Sequence, residues 1–283
     1  MLRFPFSGKL PGVSNAGMDG GILRLASGSS PGWGPPPKPV SAQVLAGFLW
    51  ATTGDILMNT LTKMAMGLIG QIKPKPIADN PDTTTYLPAA NVTGGVPLMK
   101  ALAQRQSMRE FDPEALPEQM LSDLLWATAG VNRPELGGRT APSAMNAQEV
   151  EVYVALPTGL FRYAPATQTL HLVSATDARS STGYQDFVDT APLDLVFVAD
   201  YSRMKLVPAA KREAYASAAA GAMAQNVYLY CASAGLATVI RAWLDREALA
   251  RVMGLNNDQQ VLLSQTVGRP RHPKNGKQMT IED

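Results

Sequence analysis

The spacing of apolar residues along the chain changes near residue 94. After that point, apolar residues recur either every three to four positions or every second position, which predicts alternating helices and strands. Before it, short apolar runs are separated by stretches rich in Gly, Pro, Ser and Thr. We therefore predict a leader and linker with short apolar segments over residues 1–93, and one folded domain over residues 94–283.

Four segments of the predicted domain have helical spacing, and several others have the pattern of strands. The predicted helices are Pro97–Gln106, Pro117–Ala129, Lys211–Ala234 and Asp245–Met253, the last ended by Gly254. The predicted strands are Glu149–Leu156, a hairpin of Leu160–Tyr163 and Thr169–Val173, then Leu193–Ala199 and Val261–Val267. Helices that alternate with strands in this way predict an α+β or α/β sandwich.

The leader carries two short apolar runs, Val44–Trp50 and Met64–Gly70. Both are shorter than the roughly 18 residues that a membrane-spanning helix requires, so we predict no integral membrane span. Translation from Met58 would give the second run the outline of a weak export signal, and an amphipathic helix packed on the domain or a partner is the alternative. Residues 1–40 are predicted to be flexible, with a Pro-rich ligand for a partner domain as the alternative. We expect a cytoplasmic protein, with export or association with the cell envelope as the other possibility.

Composition narrows the chemistry. The formal net charge is +2, so no strong field favours nucleic acid, and we predict no nucleic-acid partner. With Cys231 as its single cysteine and two histidines, the sequence offers no intrachain disulfide and little material for a metal site. We therefore expect the chemistry to come from a bound organic cofactor, without a metal or a protein nucleophile.

Arg105, Ser107 and Arg109 lie within five residues at the predicted end of a helix. Two guanidinium groups and a hydroxyl at this spacing can bind a phosphate, because the donor fork of arginine matches phosphate oxygens. A polar helix end exposed to solvent explains the same residues.

A second candidate segment is the loop before the predicted strand at residue 149. Pro142 and Ser143 favour a turn, and the side chain of Asn146 offers both a hydrogen-bond donor and an acceptor. An ordinary loop, whose Asn satisfies backbone groups, is the alternative.

Two further segments complete the set. The predicted long helix carries Gly221, Gln225 and Asn226 among many alanines, which suits a close dimer core or, alternatively, a plain buried helix. Three basic residues follow Gly268, and each is a candidate phosphate ligand: Arg269, Arg271 and Lys274. A basic tail exposed to solvent explains the two that do not bind the phosphate.

Taken together and in this order, the segments resemble the FMN-binding nitroreductase family. The resemblance rests on Arg105-Gln-Ser-Met-Arg-Glu-Phe111, on the Pro-Ser-x-x-Asn-x-Gln loop, on the helix that ends at Gly235-Leu236, and on the basic tail. It implies an α+β fold, a three-layer α-β-α sandwich with a central, mostly antiparallel sheet. It also implies a homodimer with FMN at the subunit interface.

The resemblance assigns roles to individual residues. The FMN phosphate would contact the segment of Arg105, Gln106, Ser107 and Arg109, together with Arg271 or Arg269. The flavin ring or ribityl chain would contact the loop of Pro142, Ser143, Asn146 and Gln148. NADH or NADPH would pass a hydride to flavin N5, and an electron-poor small molecule, nitroaromatic or quinone-like, would accept it.

The sequence departs from the family at one position. Family members carry a Glu-Gly pair beside the flavin, and counting from Gly235-Leu236 places Ala242-Trp243 there. A backbone N–H at this position would still reach flavin N5, whereas Trp243 would stack over the ring or restrict the pocket. Two alternatives for the function stay open. One is a flavin dehydrogenase acting on peptides or heterocycles, and the other is a flavin-binding carrier, sensor or scaffold without turnover.

Overall fold

The computed structural model describes residues 83–271 and, in addition, the backbone of residues 75–76. The predictions for residues 1–74, which include both apolar runs and the export signal, lie outside the described residues, as does Lys274. Among the helices of the described part, none is long and apolar enough to cross a membrane.

Helices and strands alternate along the described chain. The helices are α1 (Leu98–Gln104), α2 (Glu118–Ala129), α3 (Ala209–Ala234) and α4 (Arg246–Met253). The first strands are β1 (Lys75–Pro76), β2 (Thr84–Tyr86), β3 (Val131–Arg133), β4 (Gly138–Arg139), β5 (Val150–Leu156) and β6 (Gly159–Ala164). The later strands are β7 (Thr169–Ser174), β8 (Thr176–Asp177), β9 (Leu193–Asp200), β10 (Ala237–Arg241) and β11 (Gln259–Gly268).

Seven of these strands form the central sheet, in the order β10-β11-β9-β5-β6-β7-β2. Every neighbouring pair in it is antiparallel. Strands β1 and β8 form a separate two-stranded ladder, and β3 and β4 form another. The predicted antiparallel central sheet is therefore confirmed.

Helices cover both faces of the sheet. On one face, α2 and α3 contribute Leu124, Leu125 and Val227 to the main core, where they pack against alternate residues of β5 and β9. On the other face, Leu249 and Met253 of α4 pack against the remaining residues of the same strands. This division follows from the period of two in a strand, which sends successive side chains to opposite faces. The predicted three-layer α-β-α sandwich is confirmed.

The ends of the helices follow local rules. Helix α3 begins directly after Pro208, which has no backbone N–H and cannot donate a helical hydrogen bond to a preceding turn. It ends at Gly235, whose φ is 68°. Helix α4 is capped at its N-terminus by Asp245, whose carboxylate accepts the N–H of Ala248 at 2.9 Å, and at its C-terminus by Gly254.

Two strands of the sheet were not predicted. Strand β10 has only five residues directly after a long helix, so its pattern is short. Strand β2 has three residues and pairs with β7 inside the region predicted to be a linker. The domain boundary at residue 94 stays a prediction, although Thr84–Tyr86 on its N-terminal side already belongs to the sheet.

Candidate functional site

The segment from Arg105 to Phe111 leaves helix α1 and runs beside the edge strand β10. The N–H of Met108 donates to the carbonyl of Thr238 at 2.9 Å, and Phe111 forms an isolated bridge with Pro270. Phe111 is buried, so it anchors the segment. Arg105, Ser107 and Arg109, spaced two apart in this extended stretch, therefore follow one another along the end of the sheet where β10 begins and β11 finishes.

The residues after β11 pair with the same segment. The N–H of Arg271 donates to the carbonyl of Glu110 at 3.2 Å, and the N–H of Asp112 donates to that of Arg269 at 2.9 Å. The chain can turn here because Gly268 has no side chain: a Cβ at that position would lie 2.8 Å from the ring of Pro192. The structure thus brings the two predicted phosphate-binding segments together, although they are more than 150 residues apart in sequence.

The two basic residues of this tail differ in their contacts. The guanidinium of Arg269 forms an ion pair with the Glu114 carboxylate at 2.8 Å. Arg271 is exposed and lies next to the motif through its backbone. An arginine already paired with a carboxylate is a poorer phosphate ligand, so the geometry favours Arg271 of these two.

Tyr228 of helix α3 organises this end of the site. Its hydroxyl accepts the N–H of Ile240 at 3.0 Å and lies 2.8 Å from Oγ of Ser107. The guanidinium carbon of Arg105 lies 5.2 Å from the centre of the Tyr228 ring, within the range of a cation–π contact. The sequence analysis missed this residue, because a buried tyrosine in a helix looks like an ordinary core position.

A cavity of about 400 Å³ opens beside these residues. Its walls include Gln104, Arg105, Gln106, Tyr228, Gly235 and Thr238. Of the described residues that line it, Arg105 alone carries a charge. The volume lies within the roughly 300–1,000 Å³ of small-molecule sites, and the uncompensated cation favours an anionic group.

The second predicted segment, the loop from Pro142 to Gln148, has an unusual backbone. Met145, Asn146 and Gln148 have φ values of 55°, 53° and 50°, in the left-handed region that side chains other than Gly rarely adopt. Such conformations cost free energy and are concentrated at functional sites. Pro142 and Asn146 are exposed, and Ser143 is half-buried.

Hydrogen bonds within the loop hold this conformation. Oγ of Ser143 accepts the N–H of Gln148 at 3.0 Å. The amide of Gln148 accepts from Nε of Arg139 at 2.8 Å and donates to the carbonyl of Gly137 at 2.6 Å and to Oδ1 of Asn146 at 3.1 Å. Gln148 is thus engaged in shaping the loop, whereas Asn146 stands at its exposed surface.

Next to this loop lies a buried carboxyl group. Glu149 is fully buried, and neither of its carboxylate oxygens has a hydrogen-bond partner among the described residues. Loss of solvation raises the pKa of Glu149 above its ordinary value. Folding therefore favours the protonated form of Glu149 relative to the unfolded chain.

The loop and the phosphate-binding segments lie at opposite ends of the sheet within one chain. Val150, just after the loop, pairs with Ala199 near the end of β9, whereas β11 passes its last residues beside Leu193, where β9 begins. The six residue steps from Leu193 to Ala199 correspond to roughly 20 Å along the strand. The structure therefore assembles Arg105, Ser107, Arg109, Arg269 and Arg271, and does not bring Asn146 to them.

Ala242 and Trp243 directly follow β10 and are both exposed, with Trp243 53% exposed. The ring of Tyr184 lies 5.6 Å from the indole in an edge-on arrangement. Beneath them, Arg241 and Asp194 form a buried ion pair at 2.5 Å, with Thr266 as a further acceptor for Arg241 at 2.7 Å. Burial raises the pKa of the Asp194 carboxyl, and the Arg241 guanidinium opposes that shift.

Comparison with known proteins agrees with this geometry. A sequence profile of the Nitroreductase family matches residues 102–269. A protein of Methanocaldococcus jannaschii named "Putative nitroreductase MJ1384" is 31% identical over 163 residues, which is 54% of this chain and 82% of that protein.

Solved structures agree as well. The crystal structure of a "putative nitroreductase" from Ralstonia eutropha JMP134 is 54% identical and covers 71% of this chain and 96% of its own, with a TM-score of 0.68. A structure of the same description from Anabaena variabilis is 20% identical and covers 66% of this chain and 42% of its own. Its TM-score of 0.57 shows a shared fold.

The family profile spans more than half of the chain and includes the segment around Arg105, the loop around Asn146 and the strand that leads to Arg269. The solved structure from Ralstonia eutropha matches the described fold over nearly its whole length. The chain therefore belongs to the nitroreductase family, and its general class is that of the flavin-dependent oxidoreductases.

Proposed function

We propose that this protein is an FMN-dependent oxidoreductase that takes electrons from NADH or NADPH and delivers them to an electron-poor small molecule, nitroaromatic or quinone-like. The observation that carries the proposal is the convergence of the Arg105 segment and the Arg271 tail beside a cavity of about 400 Å³. FMN, when bound, supplies the hydride chemistry, so the protein has to bind, orient and shield it.

The phosphate of FMN is the group that fits this end of the cavity. Arg105 supplies a positive charge in the wall of the cavity, and the Ser107 hydroxyl supplies a further donor or acceptor. Arg109 and Arg271 lie in the two paired segments beside it. Tyr228 holds Arg105 and Ser107 in place before any ligand binds. Such preorganisation increases affinity, because less side-chain entropy is lost on binding.

The position of the Asn146 loop supports a homodimer. The loop lies about 20 Å along the sheet from the phosphate end, by the strand rise, and it leads into β5, which is three strands away from β10. A single flavin that meets both segments requires that each come from a different copy of the chain. We therefore propose that Pro142, Ser143 and Asn146 approach the flavin ring bound mainly by a second copy, with Gln148 shaping that loop.

Helix α3 offers a surface suited to that second copy. Small or short residues form an exposed stripe along it: Ala214, Ala218, Gly221, Ala222 and Gln225, of which Ala222 is half-buried. Apart from the backbone of its own helix, a Cβ added at Gly221 would meet no atom of the described residues within 4 Å. Glycine in a helix interior costs about 1 kcal/mol relative to Ala. A close approach by another helix would explain why glycine occupies a position with so much open space.

Exposed apolar side chains on other elements also favour a homodimer. Leu98 and Met99 of α1 are 63% and 74% exposed, and Met145 and Leu206 are 68% and 80% exposed. Large apolar surface of this kind favours association, because burying it removes it from water.

The proposal is tested on the purified full chain. We expect a yellow protein that releases FMN on denaturation, and steady-state oxidation of NADH or NADPH in the presence of a quinone or a nitroaromatic. Bound FMN without turnover would replace the enzyme by a flavin-binding carrier, sensor or scaffold. Protein that stays free of flavin after incubation with FMN would overturn the proposal.

A further inference from the structure

Trp243 and Tyr184 form an aromatic pair. The sequence analysis leaves two roles open for Trp243, stacking over the flavin ring or restricting the pocket, and assigns none to Tyr184. The indole of Trp243 is 53% exposed, whereas Tyr184 is 8% exposed and contacts it edge-on at 5.6 Å between ring centres. An exposed tryptophan backed by a buried aromatic ring keeps one face available for a ligand. Burial of such a face by a partner molecule is a large favourable contribution to binding.

The backbone next to Tyr184 packs against the buried guanidinium of Arg241. A Cβ at Gly183 would lie 2.2 Å from Nη1 of Arg241, so the chain passes directly against this guanidinium. Arg241 is in turn held by Asp194 and Thr266, and its guanidinium carbon lies 5.6 Å from the centre of the Phe187 ring. The buried ion pair is thus a positioning device: it prevents Gly183 and Tyr184 from moving inward and leaving the indole unsupported.

The aromatic pair lies at a suitable distance from the phosphate end. From Thr238, beside the Arg105 segment, to Trp243 the chain advances five residues along and just past β10, or about 17 Å at the rise of a strand. This span is comparable with the length of an extended FMN molecule. A flavin whose phosphate lies at Arg105 and which follows the edge of β10 would place its ring system next to Trp243.

We propose that the exposed face of Trp243 is one wall of the acceptor site and selects planar, electron-poor aromatic acceptors by stacking. The inference rests on the proposed function and adds the side chain that distinguishes planar acceptors from non-planar ones. The indole is electron-rich, so it stacks favourably on a quinone or nitroaromatic ring. In the overall reaction, NAD(P)H and a proton reduce the quinone to the hydroquinone and leave NAD(P)⁺.

The test compares two acceptors in the FMN-loaded enzyme. 1,4-Naphthoquinone is flat and can stack, whereas ferricyanide is an octahedral inorganic anion and cannot. In Trp243→Leu we expect the KM for naphthoquinone to rise about five- to tenfold, in line with the loss of one aromatic contact, while the KM for ferricyanide changes by less than about twofold. Trp243→Phe keeps a ring and is expected to retain most of the selectivity.

Tyr184 provides a matched pair of variants. Tyr184→Phe preserves the edge-on ring and should behave as the unmodified protein, whereas Tyr184→Ala removes the support and should reproduce part of the Trp243→Leu effect. A change of equal size for both acceptors, or no change for naphthoquinone, would overturn the inference.

A binding measurement without turnover separates this inference from the proposed function. 2-Naphthoate is planar and redox-inert, and its dissociation constant is measured from the change in flavin absorbance. Both proteins are first saturated with FMN, and we expect 2-naphthoate to bind Trp243→Leu more weakly by the same five- to tenfold factor. An unmodified protein without flavin would defeat the proposed function. A flavin-loaded enzyme with equal 2-naphthoate affinity in both forms would defeat the role of Trp243 alone.

Discussion

The Arg105 segment and the Asn146 loop were both predicted from sequence as parts of one flavin site, yet the structure treats them differently. The first lies in extended backbone, is anchored by the buried Phe111, and meets the Arg271 tail in the same chain. The second holds three non-glycine residues at positive φ and lies at the other end of the sheet. Within one chain, the Arg105 segment and the Arg271 tail meet, whereas the Asn146 loop lies at the opposite end of the sheet. This is the arrangement expected for a flavin site shared by two copies.

The largest expected effect comes from a substitution that prevents two copies of the chain from associating. Gly221→Leu places a large side chain in the exposed small-residue stripe of α3, where a neighbouring helix would approach closely. We expect a monomer at micromolar concentration that has lost most of its FMN, measured by sedimentation velocity with absorbance of the flavin. Arg251→Leu on α4, also an exposed helical position, is the control and should stay flavin-loaded. A Gly221→Leu dimer with full FMN would contradict the shared site.

The next effect concerns the phosphate end. Arg105→Ala removes the charged residue of the cavity wall, and we expect FMN to bind about a hundredfold more weakly, a typical loss for a charge-assisted contact. Isothermal titration of the flavin-free protein with FMN provides the measurement. Arg133→Ala removes an equal charge from an exposed position outside the cavity and should leave affinity unchanged. Full flavin retention in Arg105→Ala would show that the phosphate binds elsewhere.

A smaller effect distinguishes the two tail arginines. Arg271→Ala should weaken FMN binding by about tenfold, because no carboxylate within residues 83–271 forms an ion pair with its guanidinium. Arg269→Ala should change it by less than about threefold, since that side chain pairs with Glu114 and exposed pairs contribute little. The ratio of the two FMN dissociation constants is the decisive quantity. The reverse order would move the phosphate contact to Arg269.

The smallest expected effect concerns Glu149, which lies next to the Asn146 loop. Since burial raises its pKa, the carboxyl stabilises the fold most below its ordinary value of 4.5, and this contribution is lost as the pH rises through the folded-state pKa. Glu149→Gln should therefore match the unmodified protein near pH 4 and be more stable by about 1 kcal/mol at pH 8. Urea denaturation at both pH values measures the difference. Equal stability at pH 8 would mean that the carboxylate finds a partner when ionised.

Sequence patterns predicted much of the fold because the responsible interactions are local. Helix α3 was predicted over Lys211–Ala234, and it begins two residues earlier, after Pro208. The alternation around Val150, Val152 and Val154 marked a strand that the structure places in the middle of the sheet. Strands β2 and β10 were missed, since three and five residues are too few for a periodic pattern to stand out.

Some residues of the candidate site could also be proposed from the sequence, whereas others were found only in the structure. Arg105, Ser107 and the basic tail could be proposed from the sequence as phosphate ligands, because phosphate chemistry restricts the residue types that bind it. The supporting residues could not. Tyr228 looks like any core residue of a helix, and Gly183 and Arg241 are nearly 60 positions apart until the fold brings them into contact.

By itself, the sequence determined the family, the α+β class, the main helices and strands, and the residue types offered to a phosphate. These depend on local periodicity and on the chemistry of single side chains. The tertiary structure decided which of those residues meet. Pairing of the Arg105 segment with β10 and with the residues after β11 fixed the phosphate end, and the direction of β5 placed the Asn146 loop at the opposite end. Such contacts depend on the order of strands in the sheet, which no local pattern of residues encodes.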